Sequence, residues 1–99
     1  NFKFENNIFI DDKKRFYLKF SIFNKEKKEP ANLFISGNFD LVKLNMHFNE
    51  IFTDKKITED DLNFIQSEFN NILLVDDYVT LFDYKKFKKF LKTVLPEIN

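Results

Sequence analysis

The sequence predicts an α+β fold, in which an antiparallel meander of three to four strands is followed by two amphipathic helices packed on one face. In the first half of the chain, apolar residues alternate with polar ones, which is typical of half-buried strands. In the second half they recur every three to four residues, the spacing of an amphipathic helix. The length of 99 residues suits one small domain, and we predict a single domain over residues 1–99.

The first two strands are predicted at residues 2–10 and Arg15–Phe23. In the second of these, the even positions are apolar and should face the core together: Phe16, Leu18, Phe20 and Ile22. The first strand keeps the same phase, with Asn6 as the exception. Asp11–Lys14 lies between the two strands and has the composition of a hairpin turn.

A short third strand is predicted at Leu33–Ser36, after a polar loop at Lys25–Asn32. Gly37–Asn38 follows, and this pair is a two-residue hairpin signal, so we predict a turn with its glycine at positive φ. The next segment, Phe39–Phe52, fits either a strand or an amphipathic helix, and the hairpin signal favours the strand. As a strand it would bury Val42, Leu44, Met46 and Phe48.

Two helices are predicted in the second half. Thr58 precedes three acids and is typical of an N-cap. The apolar stripe of that helix consists of Leu62, Ile65, Phe69, Ile72 and Leu73. Tyr78–Phe82 is predicted to be a short strand. Asp83 should then cap a last helix over Tyr84–Leu95, which Pro96 ends.

Composition argues against several classes of protein. Basic and acidic residues number 16 each, and the resulting net charge of zero argues against broad attraction to nucleic acid or anionic lipid. The chain has no cysteine, which excludes disulfides, thiol catalysis and cysteine-based zinc sites and fits a reducing, cytoplasmic location. No apolar run reaches the roughly 20 residues that a membrane-spanning helix needs.

No motif assigns a catalytic activity. His47 is the only histidine, and the chain contains no nucleophile elbow, zinc-protease helix or glycine-rich phosphate loop. Acidic pairs such as Asp11–Asp12 lack the spacing of a calcium loop, and turns and helix caps explain them. We therefore expect a non-enzymatic protein with no catalytic residue, no cofactor and no metal site.

The predicted last helix has a basic face made of Lys85, Lys86, Lys88, Lys89 and Lys92. Such a face can contact phosphates or an acidic protein surface. It is also typical of a solvated helix, and lysine is abundant here because Phe, Ile, Asn and Lys, all with A/T-rich codons, make up 51 of the 99 residues. Proteins that recognise specific bases favour arginine for bidentate contacts, and this chain has a single arginine, which argues against sequence-specific recognition of nucleic acid.

Several aromatic residues fall outside the apolar phase of their own elements. We predict that a partner contacts Tyr17, Phe34 and Phe64, with Phe9 and Phe23 as further candidates. Exposed aromatic residues mark protein interfaces, and on a sheet they can also stack the bases of single-stranded nucleic acid. Alternatively, both sheet faces are partly covered, or the chain self-associates.

The function predicted from these features is a small protein-binding module, such as an inhibitor, an immunity-type protein or an adaptor. Its partner would be another protein that contacts the exposed aromatic and charged surface. The alternative is a nucleic-acid-binding accessory protein, which would use the lysine-rich helix and the sheet aromatics together.

Overall fold

The computed structural model describes residues 2–24, 29–68, 71–72 and 81–98. Within these ranges, four strands form an antiparallel sheet in the order β1-β2-β3-β4. The strands are β1 (Phe2–Ile10), β2 (Arg15–Asn24), β3 (Ala31–Asp40) and β4 (Asn45–Thr53). Two helices follow, α1 (Glu59–Ser67) and α2 (Tyr84–Ile98). The predicted α+β class and the four-stranded meander are confirmed, and the ambiguous segment contains a strand.

One face of the sheet, here called the closed face, carries the hydrophobic core. Alternate residues of β2 and β3 are buried there: Phe16, Leu18, Phe20, Ile22, Ala31, Leu33, Ile35 and Phe39. Helix α2 packs on this face, because the ring of Phe87 stacks on Phe20 and on Phe48 with centroids 5.7 and 5.4 Å apart. Ile65 of α1 is buried in the same cluster. Packing of α1 on the closed face stays a prediction.

Both helices begin at the residues that capping chemistry predicts. The Oγ1 atom of Thr58 accepts the backbone N–H of Asp61 at 3.1 Å, and the Asp61 carboxylate accepts the backbone N–H of Thr58 at 3.0 Å. This reciprocal pair is a capping box. At the start of α2, the Asp83 carboxylate accepts the backbone N–H of Lys86 at 3.0 Å.

The predicted end of α2 is wrong. The helix continues through Pro96 to Ile98 instead of ending at Leu95. A proline lacks the N–H group that an interior helical residue donates, but in the last turn this removes only one hydrogen bond and the preceding turns keep theirs. Within the described residues, no helix is long and apolar enough to cross a membrane.

Two further predictions fall partly outside the described residues. Of the apolar stripe predicted for the first helix, Ile65 is buried within α1. Ile72 is also buried, but it lies after α1, which ends at Ser67, and Phe69 and Leu73 are among the residues not described. The short strand predicted at Tyr78–Phe82 is described only at its last two residues, which are not in a strand.

The hairpin between β3 and β4 lies further along the chain than predicted. Strand β3 runs through Gly37–Asn38, and the turn occupies Leu41–Leu44. Val42 and Leu44, which we predicted to be buried, belong to this turn and are 94% and 69% exposed. The Gly-Asn signal was therefore misleading as a turn signal, although the antiparallel partner strand that it favoured does exist.

Gly37 is required for close packing and not for a turn. Its φ angle is not positive, contrary to the prediction. Positive φ angles occur instead at Lys14 (64°) and Leu44 (54°), each of which directly precedes a strand. A Cβ atom on Gly37 would overlap the carbonyl oxygen of His47 and the ring of Phe16. The absence of a side chain lets the Phe16 ring and β4 approach the β3 backbone.

A β-bulge in β4 explains why its sequence fits two periods. Ser36 pairs with Glu50, and the next residue, Gly37, pairs with Phe48, so Asn49 is an extra residue in β4. An extra residue in one strand moves the following side chains to the other face. The apolar spacing across the bulge therefore widens from two residues to three, which is why the segment also fits a helix.

Candidate partner-binding surface

Among the described side chains, the other face of the sheet, here called the open face, carries four exposed aromatic residues. Phe9 and Tyr17 are 63% and 42% exposed, and Phe34 and Phe52 are 38% and 62% exposed. Each comes from a different strand, at positions that alternate with residues of the closed face. The structure thus brings the predicted residues Tyr17 and Phe34 onto one surface and adds Phe9 and Phe52 to them.

Sequence reasoning missed Phe52 because of the bulge. Before the bulge, Met46 is buried, as predicted for a strand, whereas Phe48, which was also predicted to be buried, is half-buried. A regular strand in that phase would also turn Phe52 towards the core, but the extra residue Asn49 reverses the alternation. The double periodicity of the segment is the signal in the sequence that could have indicated the bulge.

Cross-strand pairing arranges the four aromatic residues as two pairs. Phe9 lies opposite Tyr17, and Phe34 lies opposite Phe52, with ring centroids 6.1 and 6.0 Å apart. These distances are typical of interacting aromatic pairs. Lys19 lies opposite Phe34 on the other side, and its Nζ is 5.7 Å from the ring centroid, a cation–π contact. The aromatic surface therefore has a positive charge above one of its rings.

A hollow of about 300 Å³ lies on the open face. Ser36 lines it and is paired with Tyr17 on one side and Glu50 on the other. Because the serine side chain is small, it leaves space among larger neighbours. Phe34 and Phe52 also line the hollow. The cavity therefore has aromatic walls and one carboxylate.

The end of the open face next to Phe34 and Phe52 is polar and hydrogen-bonded within the chain. Ser21 Oγ donates to Asn32 Oδ1 at 2.7 Å. The backbone N–H and the side-chain amide of Asn32 both donate to the Asp54 carboxylate at 2.8 Å. The side-chain hydrogen bond is the main reason that the pKa of Asp54 is lowered. This end offers fewer unused groups to a partner than the aromatic end.

The third predicted aromatic contact, Phe64, occupies a different environment. It belongs to α1, is half-buried, and packs against the hydrophobic core. Its role in partner binding stays a prediction, and we do not include it in the open-face surface. Phe23, a further candidate on β2, is also half-buried.

Helix α2 presents the predicted basic face. Four of its lysines are exposed: Lys85, Lys88, Lys89 and Lys92. Lys86 is half-buried, because its Nζ donates to the carbonyl oxygen of Met46 at 2.5 Å and so joins α2 to β4. Since α2 packs on the closed face, its lysines and the open-face aromatic residues lie on opposite sides of the sheet.

Several acidic residues stabilise turns. Burial alone would raise the pKa of Asp11, but hydrogen bonds from Arg15 and Lys13 outweigh it and lower that pKa. The backbone N–H of Lys43 is the main cause that lowers the pKa of Asp40. Among the residues that the structure describes, no three His, Asp or Glu side chains form a group that could hold a metal ion.

No protein-family model matches the chain, and no curated protein or solved structure is significantly similar to it. The proposed function therefore rests on the geometry and chemistry of the chain itself.

Proposed function

We propose that this protein is a non-enzymatic binding module that recognises another protein through its open face. The observation that carries the proposal is the hollow lined by three exposed aromatic side chains, Tyr17, Phe34 and Phe52. Aromatic residues are enriched in protein interfaces, and those that form pockets supply much of the binding energy. A side chain of the partner would fill the hollow and exclude water from its walls.

Charges near the hollow support a protein partner. Lys19 lies over Phe34, and Glu50 lines the hollow, so both signs of charge are available to orient polar groups of a partner. A surface that binds single-stranded nucleic acid combines stacking aromatic residues with a positively charged groove. Here the lysines of α2 lie on the opposite side of the sheet, so a protein is favoured over nucleic acid.

The proposal is tested with the double variant Phe34→Ala/Phe52→Ala. Both residues are exposed, so we expect the fold to persist, while binding weakens by roughly 2 kcal/mol or more because the walls of the hollow are removed. The measurement is affinity capture from a native lysate with nuclease added, followed by titration calorimetry with the captured partner. Val42→Ala is the matched control, because Val42 is 94% exposed in the turn before β4.

Two results would contradict the proposal. One is equal capture by the double variant and the Val42→Ala control. The other is capture that nuclease abolishes, which would show that nucleic acid is the bound species. Phe64→Ala is unsuitable as a first test, because Phe64 packs against the core and its truncation would also lower stability.

A further inference from the structure

We propose a second binding site, in the cleft between α2 and β4, that takes a carboxylate carried on an apolar or aromatic stem, supplied by an acidic segment of a partner protein. The cleft has a volume of about 290 Å³ and is lined by an apolar floor and a basic rim. It uses none of the residues of the open-face hollow, so it is independent of the function proposed above.

The floor of the cleft is aromatic and aliphatic. The rings of Phe48 and Phe90 stack with centroids 5.2 Å apart and planes inclined by 22°. Val94 lies one turn further along α2 and also lines the cleft. All three side chains are half-buried, so part of their apolar surface remains in contact with water. An apolar stem of a ligand that covered this surface would be stabilised by the hydrophobic effect.

The rim of the cleft is basic. Lys86 and Lys89 are three residues apart on α2 and therefore project from the same side of the helix. His47 of β4 borders the cleft, but it pairs with Asn38 in the phase of the open face, so the two lysines carry the charge of the rim. None of the described residues that line the cleft is acidic. Like charges at this spacing repel each other, and a bound anion would relieve that repulsion.

Lys86 is held in position before any ligand binds. Its Nζ donates to the carbonyl oxygen of Met46, the residue before His47 in β4. An ammonium group has three N–H donors, so this hydrogen bond leaves donors for a carboxylate. A side chain that is already ordered loses less conformational entropy when the ligand binds.

The Asp40 carboxylate is occupied by backbone groups of the turn between β3 and β4. His47 contributes to the lowered pKa of Asp40, after the larger effect of the backbone N–H of Lys43. The Asp40 carboxylate accepts the backbone N–H groups of Val42 and Lys43 at 3.0 Å each. Asp40, the last residue of β3, therefore stabilises the turn between β3 and β4.

The size and chemistry of the cleft favour a protein segment over nucleic acid. A volume of about 290 Å³ lies at the lower limit of small-molecule pockets and matches one or two side chains. The apolar side chains and the lysines line the same cleft, so a ligand that carries a carboxylate next to an apolar stem can contact both. A nucleic-acid strand would instead use the whole row of lysines and would not require the cleft.

The test is an NMR titration of the amide resonances of the full chain with four probes. The probes are 3-phenylpropionate, its uncharged analogue 3-phenylpropan-1-ol, a hexapeptide of alternating Glu and Phe, and a thymidine oligonucleotide. We expect the phenylpropionate and the hexapeptide to shift the resonances of His47, Lys86, Lys89 and Phe90 in a saturable way, and the alcohol to bind at least about tenfold more weakly.

Matched variants separate the cleft from the general charge of the helix. Lys89→Gln should weaken phenylpropionate and hexapeptide binding by roughly tenfold, because it removes a rim charge. Lys92→Gln removes the same charge from an exposed position of α2 that does not line the cleft, and it should bind as wild type does. Lys89→Gln carries the test because Lys86→Gln would also remove the hydrogen bond to Met46.

Four outcomes would overturn this inference: no saturable shifts at the cleft, equal weakening in the two lysine variants, equal affinity for the acid and the alcohol, or tighter binding of the oligonucleotide than of the hexapeptide. The double variant Phe34→Ala/Phe52→Ala should bind phenylpropionate as wild type does. Failure at the cleft is therefore distinguishable from failure at the open face.

Discussion

The two faces of the sheet are built by the same four strands and are both rich in aromatic residues, yet the described helices cover only one of them. On the closed face, Phe16 and Phe20 are fully buried, and α2 packs against Phe20 through Phe87. On the open face, Tyr17 and Phe34 are 42% and 38% exposed. Full burial of a large apolar side chain stabilises a protein by about 1.5–3 kcal/mol. A side chain that stays partly exposed contributes only part of that free energy. The open-face aromatic residues therefore contribute less to folding than their number implies, which is why we assign them to binding.

The largest expected difference between the faces is in the cost of truncating a phenylalanine. Phe20→Ala should lower the free energy of unfolding by roughly 3–5 kcal/mol, because it leaves a cavity beneath Phe87. Phe34→Ala should lower it by about 1 kcal/mol or less, the range of a cross-strand pair. Chemical denaturation of both variants measures the two values. Similar losses in the two variants would mean that the open face is covered in solution.

Regular alternation made the closed face predictable. In β2 the even residues are buried without exception from Phe16 to Ile22, as the sequence indicates. Capping residues likewise predicted both helix starts, because Thr58 and Asp83 satisfy backbone N–H groups that have no partner within the helix. These predictions succeeded because each depends on a local pattern.

The open face was only partly predictable. Tyr17 and Phe34 follow from the alternation of their own strands, but Phe52 does not. Its position depends on the extra residue Asn49, and the bulge depends on how β4 pairs with β3 around Gly37. The bulge leaves two overlapping periods in the sequence, and these do not by themselves say which residue is the extra one. The structural role of Gly37 was misassigned for the same reason. A Gly-Asn pair in the sequence suggests a turn, whereas the close packing of Phe16 and β4 on a glycine is visible only in the folded structure.

A smaller effect is expected for Gly37→Ala, which tests the packing of the closed face. A Cβ atom there would overlap the carbonyl oxygen of His47, so β4 would have to move away from β3. We expect a loss of about 1–3 kcal/mol in the free energy of unfolding, the usual cost of overpacking. Ser36→Ala is the control, since Ser36 precedes Gly37 on the open face and should tolerate the change. Equal stability of the two variants would contradict the packing role of Gly37.

The smallest expected effect concerns the polar end of the open face, and it depends on pH. Asn32 donates two hydrogen bonds to the Asp54 carboxylate, and its side-chain amide is the main cause that lowers the pKa of Asp54. A group whose pKa is lower in the folded state stabilises the fold above its unfolded pKa, here about 3.9. That stabilisation is lost as the pH falls through the lower, folded pKa.

Asp54→Asn keeps the shape of the side chain and removes its charge. At pH 7 we expect the variant to be less stable than wild type by about 1 kcal/mol or less, because water screens an exposed carboxylate. The difference should be constant down to about pH 4 and then shrink, since protonation neutralises Asp54 in wild type as well. Urea denaturation between pH 7 and pH 2 measures it. The stability difference between wild type and Phe20→Ala should stay nearly constant over that range, because Phe20 has no ionisable group. A difference for Asp54→Asn that persists unchanged to pH 2 would mean that the hydrogen bonds to Asn32 do not depend on the charge of Asp54.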